Sequence, residues 1–221
     1  MKDQFNHVRS WVFDLDNTLY PPTARLFDQM DERMRAWIVR EIGISNVAAQ
    51  ELSQGYLAKY GTTLAGLMRH NDIDAASFLL ETHTLDLSHM LPVPDLRTQI
   101  ENLPGRKIVF TNGSRHHADK VTEALGLTGA FDAHYGIEDA KYVSKPHPEA
   151  FDVVFSAEGL TPENSAMFED MAENLQIPHA LGMQTVLVSP EPVAKLDHVH
   201  HVTDDLARFL SRINGVDHDA D

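Results

Sequence analysis

Residues 8–22 read VRSWVFDLDNTLYPP, and the fold is decided here. The segment VRSWVFDL (8–15) has the make-up of a buried strand ending in acidic residues, and Asn17 with Pro21-Pro22 supplies the turn that follows. Beyond it the character of the chain changes. From Leu26 to Ile42 the residues Phe27, Met30, Met34, Trp37, Ile38 and Ile42 recur at three- and four-residue spacing, with Gly43 just past the end as a stop. That is an amphipathic helix. Ser45 is placed to cap a second helix running to Tyr60 and stopping at Gly61, Thr62 to cap a short third, and Asp74 a fourth through Phe78, Leu79 and Leu80. Residues 21–94 therefore read as all-helical, closing at Pro92 and Pro94.

Downstream the pattern alternates. KIVFT (107–111) reads as a strand, Ser114 to Leu125 as a helix stopped by Gly126, His134 to Ile137 as a short strand, and Pro148 to Glu158 as a helix. SAMFED (165–170), a short helix near Asn174 to Leu181, QTVLV (184–188) and a last helix over Asp204 to Ile213 complete the series. Strands separated by helices of about ten residues imply a parallel sheet covered on both faces. The expected architecture is α/β: a doubly wound core of residues 1–20 and 95–213, with a helical insertion, 21–94, after its first strand. Residues 214–221 read as a solvated tail.

Composition narrows the function. The 221 residues are 43% hydrophobic and 23% charged, the profile of an ordinary globular chain. No apolar run approaches the roughly 18 residues a membrane span needs, and MKDQFNHVRS lacks an apolar signal segment, so a soluble, cytoplasmic protein is expected. Cysteine is absent, which excludes disulfides, thiolate catalysis and Cys-based metal centres. The net charge of −15 argues against a nucleic-acid polymer or an anionic membrane as partner. An anionic substrate would need local positive charge to overcome that field.

In open parallel sheets ligands bind beyond the carboxyl ends of the strands. Those ends here carry Asp14 and Asp16, Thr111 and Asn112, and Glu169 and Asp170. A lone Asp-x-Asp is ordinarily a solvated strand end, but four acids on one edge point to an oxygen-ligand Mg²⁺ site.

These residues resemble a family. FDLDNTLYP (13–21) is similar to the first motif of the haloacid-dehalogenase-like (HAD) hydrolases, Thr111-Asn112 to the second, Lys145 in SKPHPEAF to the third, and the Glu169-Asp170 pair with Asn174 to the fourth. The wording YGTTL (60–64), GRKIVFTNGS (105–114), KPHPEAF and FEDMAENL looks more narrowly like the pyrimidine 5′-nucleotidases, which hydrolyse nucleoside monophosphates. The resemblance implies a Rossmann-like core with a small helical cap, and a Mg²⁺-dependent phosphatase. It implies Asp14 as nucleophile, forming an aspartyl-phosphate, and Asp16 as general acid and then base. Thr111 and Lys145 would hold the phosphate, helped by Asn112 and Gly113 at a helix start. Mg²⁺ would be bound by Asp14, the Asp16 backbone carbonyl and Asp170, with Glu169 reaching it through water. Asp16 favours phosphoryl transfer over dehalogenation, because a departing halide needs no proton.

A cap placed over the cleft chooses the substrate. Its candidate polar contacts are Tyr20, Tyr60, Thr62, Thr63 and His83, although Tyr60 also fits an apolar stripe with Leu57 and Leu64, and Thr62 is a plausible cap. The thirteen histidines make no HExxH; DHVHH (197–201) reads as a half-exposed strand, and His116-His117, one turn beyond the expected phosphate site, as helix surface, with contact to that site as the alternative. The glycosylation sequon at 112–114 reads as chance. The expected partner is a small phosphorylated metabolite, foremost UMP or CMP. Alternatives are a phosphatase of phosphoglycolate or a sugar phosphate, a phosphomutase, and a non-catalytic binding protein on the same fold. No GxGxxG or GxxxxGK[ST] is present, which counts against NAD or a nucleotide triphosphate.

Overall fold

The computed structural model describes residues 1–215, so the expected tail lies largely outside the described residues. Six strands, β1 (Ser10–Phe13), β2 (Arg106–Phe110), β3 (Ala133–Tyr135), β4 (Ser165–Glu169), β5 (Gln184–Val188) and β6 (His201–Thr203), form one parallel sheet in the order β3-β2-β1-β4-β5-β6. The first strand in sequence thus lies inside the sheet, with β2 on one side and β4 on the other.

Alternation along the strands builds two apolar layers, because successive side chains leave a strand on opposite faces. Trp11, Phe13, Val109 and Phe168 face one layer, closed by α1 (Lys2–Phe5), α6 (Pro94–Glu101), α7 (Arg115–Ala124) and α10 (Leu206–Asn214). Val12, Ile108, Phe110 and Met167 face the other, closed by α8 (Pro148–Glu158) and α9 (Gln176–Ala180). Phe13 stacks on Phe168 of the neighbouring strand with ring centroids 4.6 Å apart, which locks β1 to β4 beside the acidic strand ends.

Between β1 and α6 lie four helices, α2 (Leu26–Ile42), α3 (Asn46–Tyr60), α4 (Thr63–His70) and α5 (Ala75–Thr82). Their ends follow local signals: Ser45, Thr62 and Asp74 accept the backbone N–H groups of Ala48, Ala65 and Ala76, and Gly43 and Gly61 close α2 and α3 with left-handed backbone. Trp37, Ile38, Ala49, Leu64, Leu67, Phe78 and Leu79 give these helices a core of their own, joined by Ile137 from the segment after β3.

Three expectations need correction. Phe27 is 47% exposed, because the buried arc of α2 runs through Leu26, Met30, Trp37 and Ile38 instead. Leu57, expected in an apolar stripe, is 56% exposed. Pro94 does not merely end the helical insertion: it occupies the first turn of α6, where its missing N–H costs nothing, and Leu96 and Ile100 of that helix pack on the sheet. Among the described residues, no helix is long and apolar enough to cross a membrane.

Candidate active site

Strand ends bring the acids together. The Asp14 N–H donates to Phe168 O at 2.9 Å, which continues the β1–β4 pairing one residue past β1. Asn17 then takes left-handed backbone (φ 61°), a conformation Asn tolerates, and turns the chain so that its Nδ2 donates to Asp170 Oδ2 at 3.2 Å. Thr18 Oγ1 donates to Asp14 Oδ2 at 3.2 Å.

Lys145 reaches this edge from the far side of β2. Its Nζ donates to Asp14 Oδ1 (2.8 Å), Glu169 Oε2 (2.7 Å) and Phe110 O (2.8 Å), so all three ammonium protons are placed. Only 2% of the residue is exposed. Burial works against the charge, but Asp14 and Glu169 outweigh it and hold the lysine protonated. Burial, followed by the neighbouring Glu169, pushes Asp14 up to about 7; burial pushes Glu169 up to about 7 and, with Asp14 adding to it, Asp170 up to about 6.

Three carboxylate oxygens, from Asp14, Glu169 and Asp170, lie within 4.8 Å of one another. With all three acids ionised against one ammonium, the pocket carries two uncompensated negative charges. An oxygen-only donor set with that charge fits a hard divalent cation such as Mg²⁺. The carboxylate of Asp16 stands outside this group, in keeping with the expectation that Asp16 would offer its backbone carbonyl rather than its side chain.

Asp16 is engaged elsewhere. Oδ1 accepts from the Tyr20 hydroxyl and lies 2.7 Å from His117 Nε2; Oδ2 accepts from Thr111 Oγ1 at 3.3 Å. Burial alone would raise its pKa, yet the attraction of His117 and the hydrogen bonds from His117 and Tyr20 hold it below the usual carboxylate range. Two aspartates two residues apart are thus driven in opposite directions. His117 corrects the expectation of a helix-surface role, being fully buried on the sheet-facing side of α7.

The loop after β2 carries the remaining groups. Thr111 is buried, and its hydroxyl accepts from the Gly113 N–H at 2.9 Å. Asn112 uses its side chain on the Lys145 backbone. A Cβ at Gly113 would lie 3.1 Å from His117 and 3.6 Å from Asp16 Oδ2, so glycine keeps space open beside that carboxylate oxygen.

The candidate cap contacts divide. Tyr20 is buried in the core and bonds to Asp16, while His83 closes α5 and meets Ser114 of the core, its Nδ1 3.0 Å from Ser114 Oγ. The other three hydroxyls are occupied within the cap. Tyr60 pairs with His70 Nε2 at 2.6 Å, Thr62 caps α4, and Thr63 lies 2.9 Å from Ser53 Oγ. Gly61, at the start of that segment, comes so close to the core that a Cβ there would stand 2.8 Å from Ser144 Oγ, next to Lys145.

A parallel sheet whose central strand ends in an Asp-x-Asp pair, faced by a buried lysine and a second acidic pair, defines a class, and residues 8–182 match the family model for haloacid dehalogenase-like hydrolases. The chain belongs to that family. It is 28% identical to Phosphate metabolism protein 8 of Saccharomyces cerevisiae over 80% of its length, and 33% identical to the (S)-2-haloacid dehalogenase of Xanthobacter autotrophicus over 70%. Those matches cover 60% and 64% of the two relatives. Among solved structures, a HAD phosphatase from Thermococcus onnurineus superposes with a TM-score of 0.65 at 16% identity, covering 95% of this chain and 99% of that one. A magnesium-bound HAD-hydrolase, YfnB, from Bacillus subtilis gives 0.61 at 17% identity, covering 94% and 99%.

Proposed function

We propose that this hydrolase is a Mg²⁺-dependent phosphatase of small phosphate monoesters, with pyrimidine nucleoside monophosphates as the foremost substrates. The carrying observation is the division of labour between Asp14 and Asp16. Asp14 shares its pocket with Glu169, Asp170 and the Lys145 ammonium, whereas the Asp16 carboxylate lies outside that group, held by Tyr20, His117 and Thr111. Asp14 has Lys145 on one oxygen and Thr18 on the other, the setting of a carboxylate used as a nucleophile.

In the first step an Asp14 oxygen attacks phosphorus, the bond to the leaving oxygen breaks, and that oxygen takes a proton from Asp16. Asp16 rests as a carboxylate, so its proton arrives with the substrate, because an approaching phosphate anion raises the proton affinity of a neighbouring carboxylate. In the second step Asp16 takes a proton from water, the water oxygen attacks phosphorus, and the Asp14–phosphorus bond breaks to release phosphate. Lys145 keeps two acids and an anionic ester in one place throughout. Asp14 and Asp170, with Glu169 beside them, would hold Mg²⁺, which would supply the further positive charge this crowding requires.

The dehalogenase relative suggests a different leaving group. A departing halide takes no proton, so the donors gathered on Asp16 would have no task; they favour an oxygen leaving group. Support for pyrimidine nucleotides comes from the YGTTL, TNGS and KPHPEAF segments and from His83, the cap side chain that meets the core beside Asp16's partner His117. Tyr60, Thr62 and Thr63, with hydroxyls already bonded inside the cap, are left out of the base-reading set.

The test is a phosphate-release screen of UMP, CMP, AMP, GMP, phosphoglycolate and sugar phosphates, with Mg²⁺ or with chelator, alongside halide release from 2-chloropropionate. Mg²⁺-dependent release with UMP or CMP ahead in kcat/KM is expected. A tenfold preference for purine nucleotides or sugar phosphates would leave only the phosphatase reading, and halide release without phosphate release would remove that too.

A further inference from the structure

His117 has no step in the chemistry above, yet it is fully buried with Nε2 2.7 Å from Asp16 Oδ1. Its other ring nitrogen, Nδ1, is buried without a hydrogen-bond partner among the described residues. An apolar side chain would fill this position on a sheet-packed helix without a desolvated acceptor, so packing alone does not account for an imidazole here.

The carboxylate shows what the imidazole does. Two donors, Tyr20 and His117, converge on Oδ1 and fix the rotation of the group. Oδ2 keeps only the long contact from Thr111 and faces the space left by Gly113. One oxygen is an anchor and the other is presented.

We propose that His117 is a positioning residue that aims Asp16 at the departing oxygen, and that the cap sets its position through His83 and Ser114. Ser114 caps α7, its hydroxyl oxygen accepting the His117 N–H at 3.1 Å. Ser114's own N–H donates to His83 Nδ1 at 3.1 Å, so that nitrogen is bare of hydrogen and the Ser114 hydroxyl, 3.0 Å away, donates to it as well. Burial, with His117 nearby, pushes His83 down to about 3 and keeps it in this accepting form. The residue that caps the C-terminus of cap helix α5 therefore holds the first turn of the core helix that carries His117. Displacement of the cap releases that turn, and with it the anchor on Asp16.

The proposal rests on the phosphatase reading, and its test separates the two. Single-turnover rates are measured for wild type, His117→Leu and His117→Gln on p-nitrophenyl phosphate and on the best alkyl phosphate from the screen. A nitrophenolate departs without a proton and an alkoxide does not, so misplacing an acid worth 10²–10⁴-fold should slow the alkyl ester about 100-fold and the nitrophenolate burst less than about threefold. His117→Gln, which can keep an N–H donor near the Nε2 position, should recover about tenfold on the alkyl ester. Long-range ¹H–¹⁵N spectra of the imidazoles read the cap link directly: His83→Ala should shift the His117 Nε2 signal. Equal losses on both esters in an active, folded protein overturn the positioning role, and an unmoved His117 signal overturns the link to the cap. A wild-type chain inert toward both esters refutes the phosphatase reading and, with it, any role for His117 in that reaction.

Discussion

Asn112 clasps Lys145 from both sides: its Oδ1 accepts the Lys145 N–H at 2.8 Å, and its Nδ2 donates to the Lys145 carbonyl at 3.1 Å. The loop after β2 thereby fixes the backbone of the loop before α8, and the ammonium falls between Asp14 and Glu169. The Asn112 side chain thus acts on the lysine, while the expectation for this residue concerned its backbone amide at the helix start. Asn112→Ala should lower kcat/KM at least tenfold and cost about 1–3 kcal/mol in stability, since it leaves two backbone groups unpaired. Steady-state kinetics and urea unfolding check both.

Asp14→Asn conserves volume at a strand end and removes the carboxylate proposed as nucleophile. Circular dichroism should be unchanged while kcat falls to less than about 1% of wild type, a barrier increase of about 2.7 kcal/mol or more. Intact-protein mass spectrometry should find a phosphoryl adduct on wild type quenched in acid during turnover, and none on the variant.

Metal binding should depend more on Asp170 than on Glu169. Both Glu169 oxygens already have partners, Oε2 with Lys145 and Oε1 with Asn174, whereas Asp170 Oδ2 accepts one long hydrogen bond, 3.2 Å, from Asn17. Mg²⁺ should raise the melting temperature of the wild-type protein by mass action, and Asp170→Asn should abolish that rise while Glu169→Gln only reduces it. A chelator should return the wild type to its metal-free melting temperature and stop turnover.

His83 makes the fold acid-sensitive. It is neutral when folded, its pKa pushed down to about 3, while the unfolded chain takes up this proton near the ordinary value of 6.5. Its contribution is therefore complete above about pH 6.5 and is lost progressively as the pH falls toward 3. Between pH 7 and pH 5 the loss from this one group is about 2 kcal/mol. Denaturant unfolding at the two pH values should show His83→Gln losing less stability than wild type by that amount.

What the sequence made legible was local. Ser45, Thr62, Asp74, Gly43 and Gly61 bound the cap helices because a cap and its partner lie within four residues, and the acids at the strand ends follow from where apolar runs stop. What escaped depended on distant partners. Thr63 is spent because Ser53 faces it from another helix, and Pro94 starts a helix rather than ending a domain because Leu96 and Ile100 find the sheet. His117 was nearer to reach: it shares the buried face of α7 with Ala118 and Val121, and a histidine on an apolar face needs a polar partner. Its partner, Asp16, lies a hundred residues away along the chain.

The placement of β1 inside the sheet also sets an order of events during synthesis. β1 pairs with β2 and β4, both of which leave the ribosome long after it, and parallel pairings between distant segments form slowly. The four cap helices, whose contacts are near in sequence, can condense first. A growing chain thus exposes Asp14 early but lacks Lys145, Glu169 and Asp170 until most of its length has emerged, so the acidic pocket cannot assemble before its last acidic strand end has docked.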